Sequence, residues 1–247
     1  MKEPTSAELQ RLNPLWKLQR KYKLTASQWH DIVKNQHIKT RHATFTGEQT
    51  YFAGEPDPNN SFVSRAIAHG ITHEEGALIT LENYLRGQGF WGRIIGAPFY
   101  VSDQFSMLGA SPDGILLDNK GRKLAVVEVK CPQGTNRPKY IKMYKDGKYH
   151  LATEHRYYTQ CQAQMFCSGV KACLFAAWVV GSRKMYVAFV KYDRVNIKHH
   201  VTNLVKLYLK WYIPFLVEKD ILEKTLTAST IEKIFYLYTK GKVILKV

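Results

Sequence analysis

The sequence predicts a mixed α/β fold, a central β-sheet flanked by helices. Three observations carry that expectation. Two apolar runs joined by the polar turn DNKGRK, between residues 114 and 130, read as a buried hairpin. A helical stretch at 154–168 is followed by two more strand patterns, ACLFAAWVV and KMYVAFVKY, joined by the turn GSRK. Helical patterns at 61–86 and 194–219 bracket these strands, which is the layering of a sheet covered by helices.

Each element has a local reason. Thr5 and Glu8 form a capping-box pattern for a helix over Ser6–Gln19, which Pro14 interrupts. Thr25-Ala26-Ser27 opens a second helix, in which Trp29, Ile32 and Val33 share a face. Residues 40–60 are rich in Gly, Pro, Asn and Thr and read as a loop. Ser61–Arg86 places Ala66, His69, Ala77, Leu78, Leu81 and Leu85 at helical spacing, and Gly87 ends it. Three strand segments come next: FWGRIIGAPFYVS, MLGASPDGILLD and KLAVVEVK. Ile231–Thr239 reads as a last helix.

Length and composition fit one domain over residues 1–247. It divides into a helical region (about 1–90), a sheet with its helices (about 91–220) and a C-terminal extension (about 221–247). Apolar residues make up 45% of the 247, enough for a sizeable core and too many for a disordered chain. The formal net charge of +16 attracts polyanions, nucleic acid before an anionic membrane. The sequence has no apolar run long enough to span a bilayer and no apolar leader, so an intracellular protein is expected. Cys131, Cys161, Cys167 and Cys173 lack metal-binding spacing and read as reduced, largely buried thiols.

The segment SPDGILLDNKGRKLAVVEVKCP carries the chemistry. Asp113 precedes the first strand of the hairpin, and Glu128 and Lys130 end the second, two apart and therefore on one face. Two carboxylates and an ammonium at the end of buried strands suit a hard divalent cation and a phosphodiester. Asp113 and Glu128 would be ligands, the Val129 carbonyl a further one, and Lys130 would orient water and offset phosphate charge. A surface hairpin with a Glu–Lys pair is the alternative, which the apolar run Ala125–Val127 opposes. Glu74, in the long helix, is either a further ligand or part of a solvated face. His73 is a weaker ligand candidate. Gln160 and Gln162 lie mid-helix, where an amide can hold water or Lys130, or serve as a structural hydrogen-bonder.

These residues resemble the phage lambda exonuclease, or YqaJ, recombinase family of the PD-(D/E)xK nuclease superfamily. Four blocks match in order: WKLQRKYKLTASQWHDIV, HGITHEEGA, SPDGI with VEVKCP, and YYTQCQAQM. The resemblance implies a restriction-endonuclease-like core. It makes Glu74, Asp113 and Glu128 metal ligands, Lys130 the catalytic lysine and Gln160 its neighbour. Arg20, Ser27 and Ser111 match positions that grip a terminal 5′-phosphate. Asn136 stands where the family has another phosphate-binding arginine, with Arg137 one residue later.

The activity implied is a Mg2+-dependent exodeoxyribonuclease with two ions per site, Mn2+ substituting. It would degrade one strand of double-stranded DNA from 5′-phosphorylated ends. Implied partners are double-stranded DNA, a single-strand annealing protein and two further copies in a homotrimer. The implied setting is a prokaryotic cytoplasm or, for a eukaryotic virus, the host nucleus. Rival readings are an endonuclease or nickase with the same hairpin, an RNA endonuclease using His69 or His73, and a DNA-binding module without catalysis.

Overall fold

The computed structural model describes residues 19–20, 23–35 and 61–213. The helices expected over 6–19 (Gln19 apart) and 231–239, and the loop over 40–60, lie outside the described residues.

Strand β1 (Leu24–Thr25) passes through a 3-10 turn into helix α1 (Trp29–Asn35). Gln28 Oε1 accepts from the Thr25 backbone N–H at 3.0 Å and from its hydroxyl at 3.1 Å, and the Trp29 indole donates to the Leu24 carbonyl at 3.0 Å. These bonds fix the helix start that the Thr-Ala-Ser signal predicts. Helix α2 (Ser61–Gly87) is followed by β2 (Arg93–Ile95), β3 (Tyr100–Val101), β4 (Leu108–Ala110), β5 (Gly114–Leu117) and β6 (Lys123–Lys130). Then come β7 (Ile141–Met143), β8 (Tyr149–Leu151), α3 (Arg156–Ser168), β9 (Ala172–Val179), β10 (Lys184–Lys191) and α4 (Arg194–Leu207).

Two of the expected strands each divide in two. FWGRIIGAPFYVS becomes β2 and β3, and MLGASPDGILLD becomes β4 and β5. Pro98 and Pro112 stand in the gaps, where a residue without an amide proton cannot continue a ladder. The halves join different sheets. Strands β2 and β5 enter a seven-stranded sheet ordered β2-β5-β6-β9-β10-β8-β7, and β3 and β4 enter a three-stranded sheet ordered β1-β4-β3. Both chain crossings therefore turn at a proline, and Asp113 stands at the second. Strands β1, β7 and β8 were not expected; at two or three residues each they are too short to show a period.

Strand β6 lies inside the large sheet, antiparallel to β5 and parallel to β9, with Glu128 opposite Phe175 and Lys130 opposite Ala177. Alternation sends Val126 toward one core with Phe175, Cys161 and Met165, under α3. Ala125, Val127 and Val129 face the other core with Ala77 and Leu81 of α2. Each large side chain fully buried this way contributes about 1.5–3 kcal/mol. The hairpin turn is as predicted: Asp118 accepts from the backbone N–H groups of Lys120 (2.9 Å) and Arg122 (2.8 Å).

Helix α3 begins two residues later than its pattern suggests. His155 caps it by accepting from the Tyr157 N–H at 3.3 Å, and Gly169, at φ 75°, ends it in the left-handed region that a residue without Cβ tolerates. Helix α4 is capped by Asp193 and gives way after Leu207 to a π turn over Tyr208–Tyr212, whose two buried tyrosine rings stack at 5.4 Å. It does not run on unbroken toward Lys219 as the pattern suggests, and residues past 213 lie outside the described ones. No helix among the described residues is long and apolar enough to cross a membrane. All four cysteines are free thiols, three of them buried.

Candidate active site

The proline turn and the β5–β6 hairpin bring Asp113, Glu128 and Lys130 to one end of the large sheet. The Asp113 N–H donates to the Val127 carbonyl at 3.0 Å, and its Oδ2 accepts from the Val129 N–H at 2.8 Å. The carboxylate is thereby tied across to β6. Glu128 is fully buried under α3. Its Oε1 accepts from the Lys130 ammonium and from the Gln160 amide at 2.5 Å, and its Oε2 accepts from the Gln164 amide. The Lys130 ammonium also lies 5.2 Å from the centre of the Tyr157 ring, whose π face attracts a cation.

Electrostatics agree with the geometry. Burial first, then the Glu128 and Glu74 carboxylates, hold the Asp113 carboxyl well above the usual acid range. Burial alone would lower the Lys130 ammonium, but Glu128 and Asp113 outweigh it and keep the charge firmly on. Burial, with Glu74 next, pushes the Cys131 thiol up to about 12. Glu74 on α2 is therefore within electrostatic reach of both Asp113 and Cys131. Two ties bring α2 in: Glu82 Oε2 accepts from the Ile94 N–H at 2.7 Å, and at Gly76 the helix approaches so closely that a Cβ would stand 3.0 Å from the Trp178 ring.

Asp113 and Glu128, with Glu74 in electrostatic reach, crowd carboxyl oxygens beside one ammonium in a partly dry place. That donor set suits a hard divalent cation. Among the described residues no group of three or more His, Cys, Asp or Glu side chains is arranged to hold an ion. Asp113 and Glu128 are the two carboxylates brought together here, and such a cation would complete its shell largely with water.

Arg20, Ser27 and Ser111 flank the strands of the small sheet without lying in them. Strands β1 and β4 are parallel, with Leu24 opposite Leu108 and Thr25 opposite Gly109. Ser27 follows β1 in the 3-10 turn Ala26–Gln28, and Ser111 directly follows β4. The Arg20 guanidinium lies 5.7 Å from the Phe99 ring, which packs on Gly109. Arg137 is exposed in the loop between β6 and β7. Of the two glutamines singled out, only Gln160 faces the site. Gln162 donates to the Lys191 carbonyl and accepts from the Asp193 N–H, both at 2.8 Å, joining β10 to α4. The His69 and His73 rings meet edge to face with centres 4.4 Å apart, and His73 lies edge-on to Trp178.

Sequence reasoning missed two residues beside the site. One is Gln164. The other is Arg156, at the start of α3, which donates to the Ser27 carbonyl and pairs with Asp31, each at 3.3 Å. A second glutamine one helical turn after Gln160 was the available signal for the first.

The model of the YqaJ-like viral recombinase domain matches residues 15–171 of this sequence. The chain belongs to that family. In this YqaJ-like protein the matched span takes in Arg20, Ser27, Glu74, Ser111, Asp113, Glu128, Lys130, Gln160 and Gln164. No curated protein matches the sequence significantly. Among solved structures, the alkaline exonuclease LHK-Exo of Laribacter hongkongensis is similar at a TM-score of 0.56 and 21% identity, over 93% of this chain and 98% of that one. A phage-related exonuclease from Haemophilus somnus 129PT reaches 0.51 at 13% identity, over 80% and 96%. SOX in a SOX–DNA complex also reaches 0.51, at 12% identity, over 83% of this chain and 68% of that one. The YqaJ-like chain thus has the restriction-endonuclease-like fold, with its mixed sheet flanked by helices.

Proposed function

We propose that this protein is a magnesium-dependent exodeoxyribonuclease that removes nucleotides from the 5′-phosphorylated end of one strand of duplex DNA. The observation that carries the reading is the meeting of Asp113, Glu128 and Lys130 at the end of the β5–β6 hairpin. Family membership supports it, as does a fold shared with two proteins described as exonucleases, one of them also solved with dAMP.

When bound, the cation would neutralise charge at the phosphoryl group and make a water easier to deprotonate. Asp113 and Glu128 would hold it, with Glu74 adding negative charge from α2. Lys130 would point one ammonium hydrogen at the attacking water and stabilise charge growing on the phosphate. Gln160 keeps Lys130 and Glu128 in register through their shared oxygen. Arg20, Ser27 and Ser111 would receive the terminal phosphate, the guanidinium as a planar fork and the hydroxyls as single donors. The net charge of +16 would grip the backbone without reading sequence, so binding should weaken steeply with salt.

End-labelled duplexes test this directly. With magnesium, a 5′-phosphate duplex should release mononucleotides faster than a 5′-hydroxyl duplex, and a covalently closed circle should survive. A cut circle would make the protein an endonuclease. Equal inertness of the wild type and Glu128→Gln would leave a DNA-binding module.

A further inference from the structure

Gln164 lies in α3 one turn beyond Gln160 and is fully buried. Its amide donates to Glu128 Oε2, whereas Gln160 and Lys130 both donate to Oε1. A carboxylate only accepts, so both amide nitrogens face Glu128 and both amide oxygens turn away. That leaves Gln164 Oε1 enclosed without a hydrogen-bond partner. An orphaned buried acceptor is destabilising, and an apolar side chain of the same volume would fill the space without one. Packing therefore does not account for a glutamine here; the bond to Glu128 does.

We propose that Gln164 is a positioning residue that fixes the rotation of the Glu128 carboxylate and reserves one lone pair for a cation. The terminal torsion of a glutamate is broad, so a carboxylate held by one oxygen can turn. Held at both, it cannot. A carboxylate offers about four acceptor positions, two on each oxygen. Lys130 and Gln160 fill the two on Oε1, and Gln164 fills one on Oε2. The remaining position is on Oε2, and Gln164 keeps it pointing one way. The inference rests on the nuclease reading of the site and adds what orients its most buried carboxylate.

The test measures Mn2+ binding without DNA, by the loss of the free-ion paramagnetic resonance signal, in wild type, Gln164→Met and Glu128→Gln. Thermal melts without ion accompany it. Gln164→Met should still fold, melting somewhat below wild type because Glu128 Oε2 loses a donor, yet bind Mn2+ about 10–100-fold more weakly, the usual effect of removing a partner behind a metal ligand. Its kcat at limiting Mn2+ should fall while KM for DNA holds. A lower melting temperature with unchanged Mn2+ affinity would make Gln164 a core residue and overturn the proposal. Equal binding by wild type and Glu128→Gln would instead remove the metal site, and the nuclease reading with it. Should Gln164→Met fail to fold, the wild type decides: its Gln164 side-chain amide resonances should broaden on adding Mn2+, and sharp resonances at saturation overturn the proposal.

Discussion

Replacing Lys130 by Met removes the ammonium and keeps the aliphatic stem. The Glu128 side chain is 1% exposed and that of Lys130 24%, so the pair behaves as buried rather than as a screened surface contact. Unit charges about 4 Å apart attract by about 4 kcal/mol at an effective dielectric near 20. Breaking a buried pair from one side costs about 3–5 kcal/mol, because the other charge stays unpaired. Gln160 and Gln164 still donate to Glu128, so the lower figure, about 3 kcal/mol, is expected for the ion-free protein. Lys130 is held above the ordinary lysine value of 10.5, so its contribution is complete below that value and is lost only as pH rises through the higher folded one. The Lys130 charge itself should therefore be complete throughout about pH 6 to 9. Urea unfolding measures the lost stability, and adding Glu128→Gln should recover most of it. Magnesium should restore stability to Lys130→Met without restoring DNA hydrolysis, which should stay orders of magnitude below wild type while DNA still binds. A loss under about 0.5 kcal/mol, the size of an ordinary surface substitution, would refute the electrostatic reasoning, and normal turnover would remove Lys130 from the chemistry.

Three more outcomes follow from the same geometry. The folded state holds the Asp113 proton more tightly than the unfolded chain does, so ion-free stability should fall as pH climbs above the ordinary 3.8 toward the raised value; Asp113→Asn should flatten that slope in urea melts, and a rising wild-type slope assignable to Asp113 would contradict it. Gln162→Met leaves the Lys191 carbonyl and the Asp193 N–H unpaired and should cost about 1–3 kcal/mol in unfolding while turnover below the melt stays near wild type; a collapse in turnover would move Gln162 into the site. Arg20→Ala should narrow the rate ratio between 5′-phosphate and 5′-hydroxyl duplexes, and an unaltered ratio would put the phosphate pocket elsewhere.

What could be read from the chain depended on how local its physics is. The hairpin turn, the face shared by Glu128 and Lys130, and α3 follow from turn chemistry and periodicity within a few residues. The division of two strands between two sheets did not, although Pro98 and Pro112 marked where each would break. Proline says that a ladder stops, not which sheet the next residues join. Glu74 and Gln164 illustrate the same limit. Both lie on helices whose polar positions look solvated until the sheet is set against them. Gln160 and Gln162 were indistinguishable by pattern, and only the packed helix separates the one facing Glu128 from the one tying β10 to α4. The short strands β1, β7 and β8 left no pattern at all, yet β1 leads into the turn that carries Ser27.

The parallel bond between β1 and β4 works as a ruler. It sets the turn that carries Ser27 beside the end of β4, where Ser111 stands, and the next two residues of the same chain lead through Pro112 to Asp113. With the terminal phosphate seated at the serines, only one stretch of DNA backbone would reach the acids, and its length would be set by two peptide units rather than by a hinge. Each cut would then take the same stride.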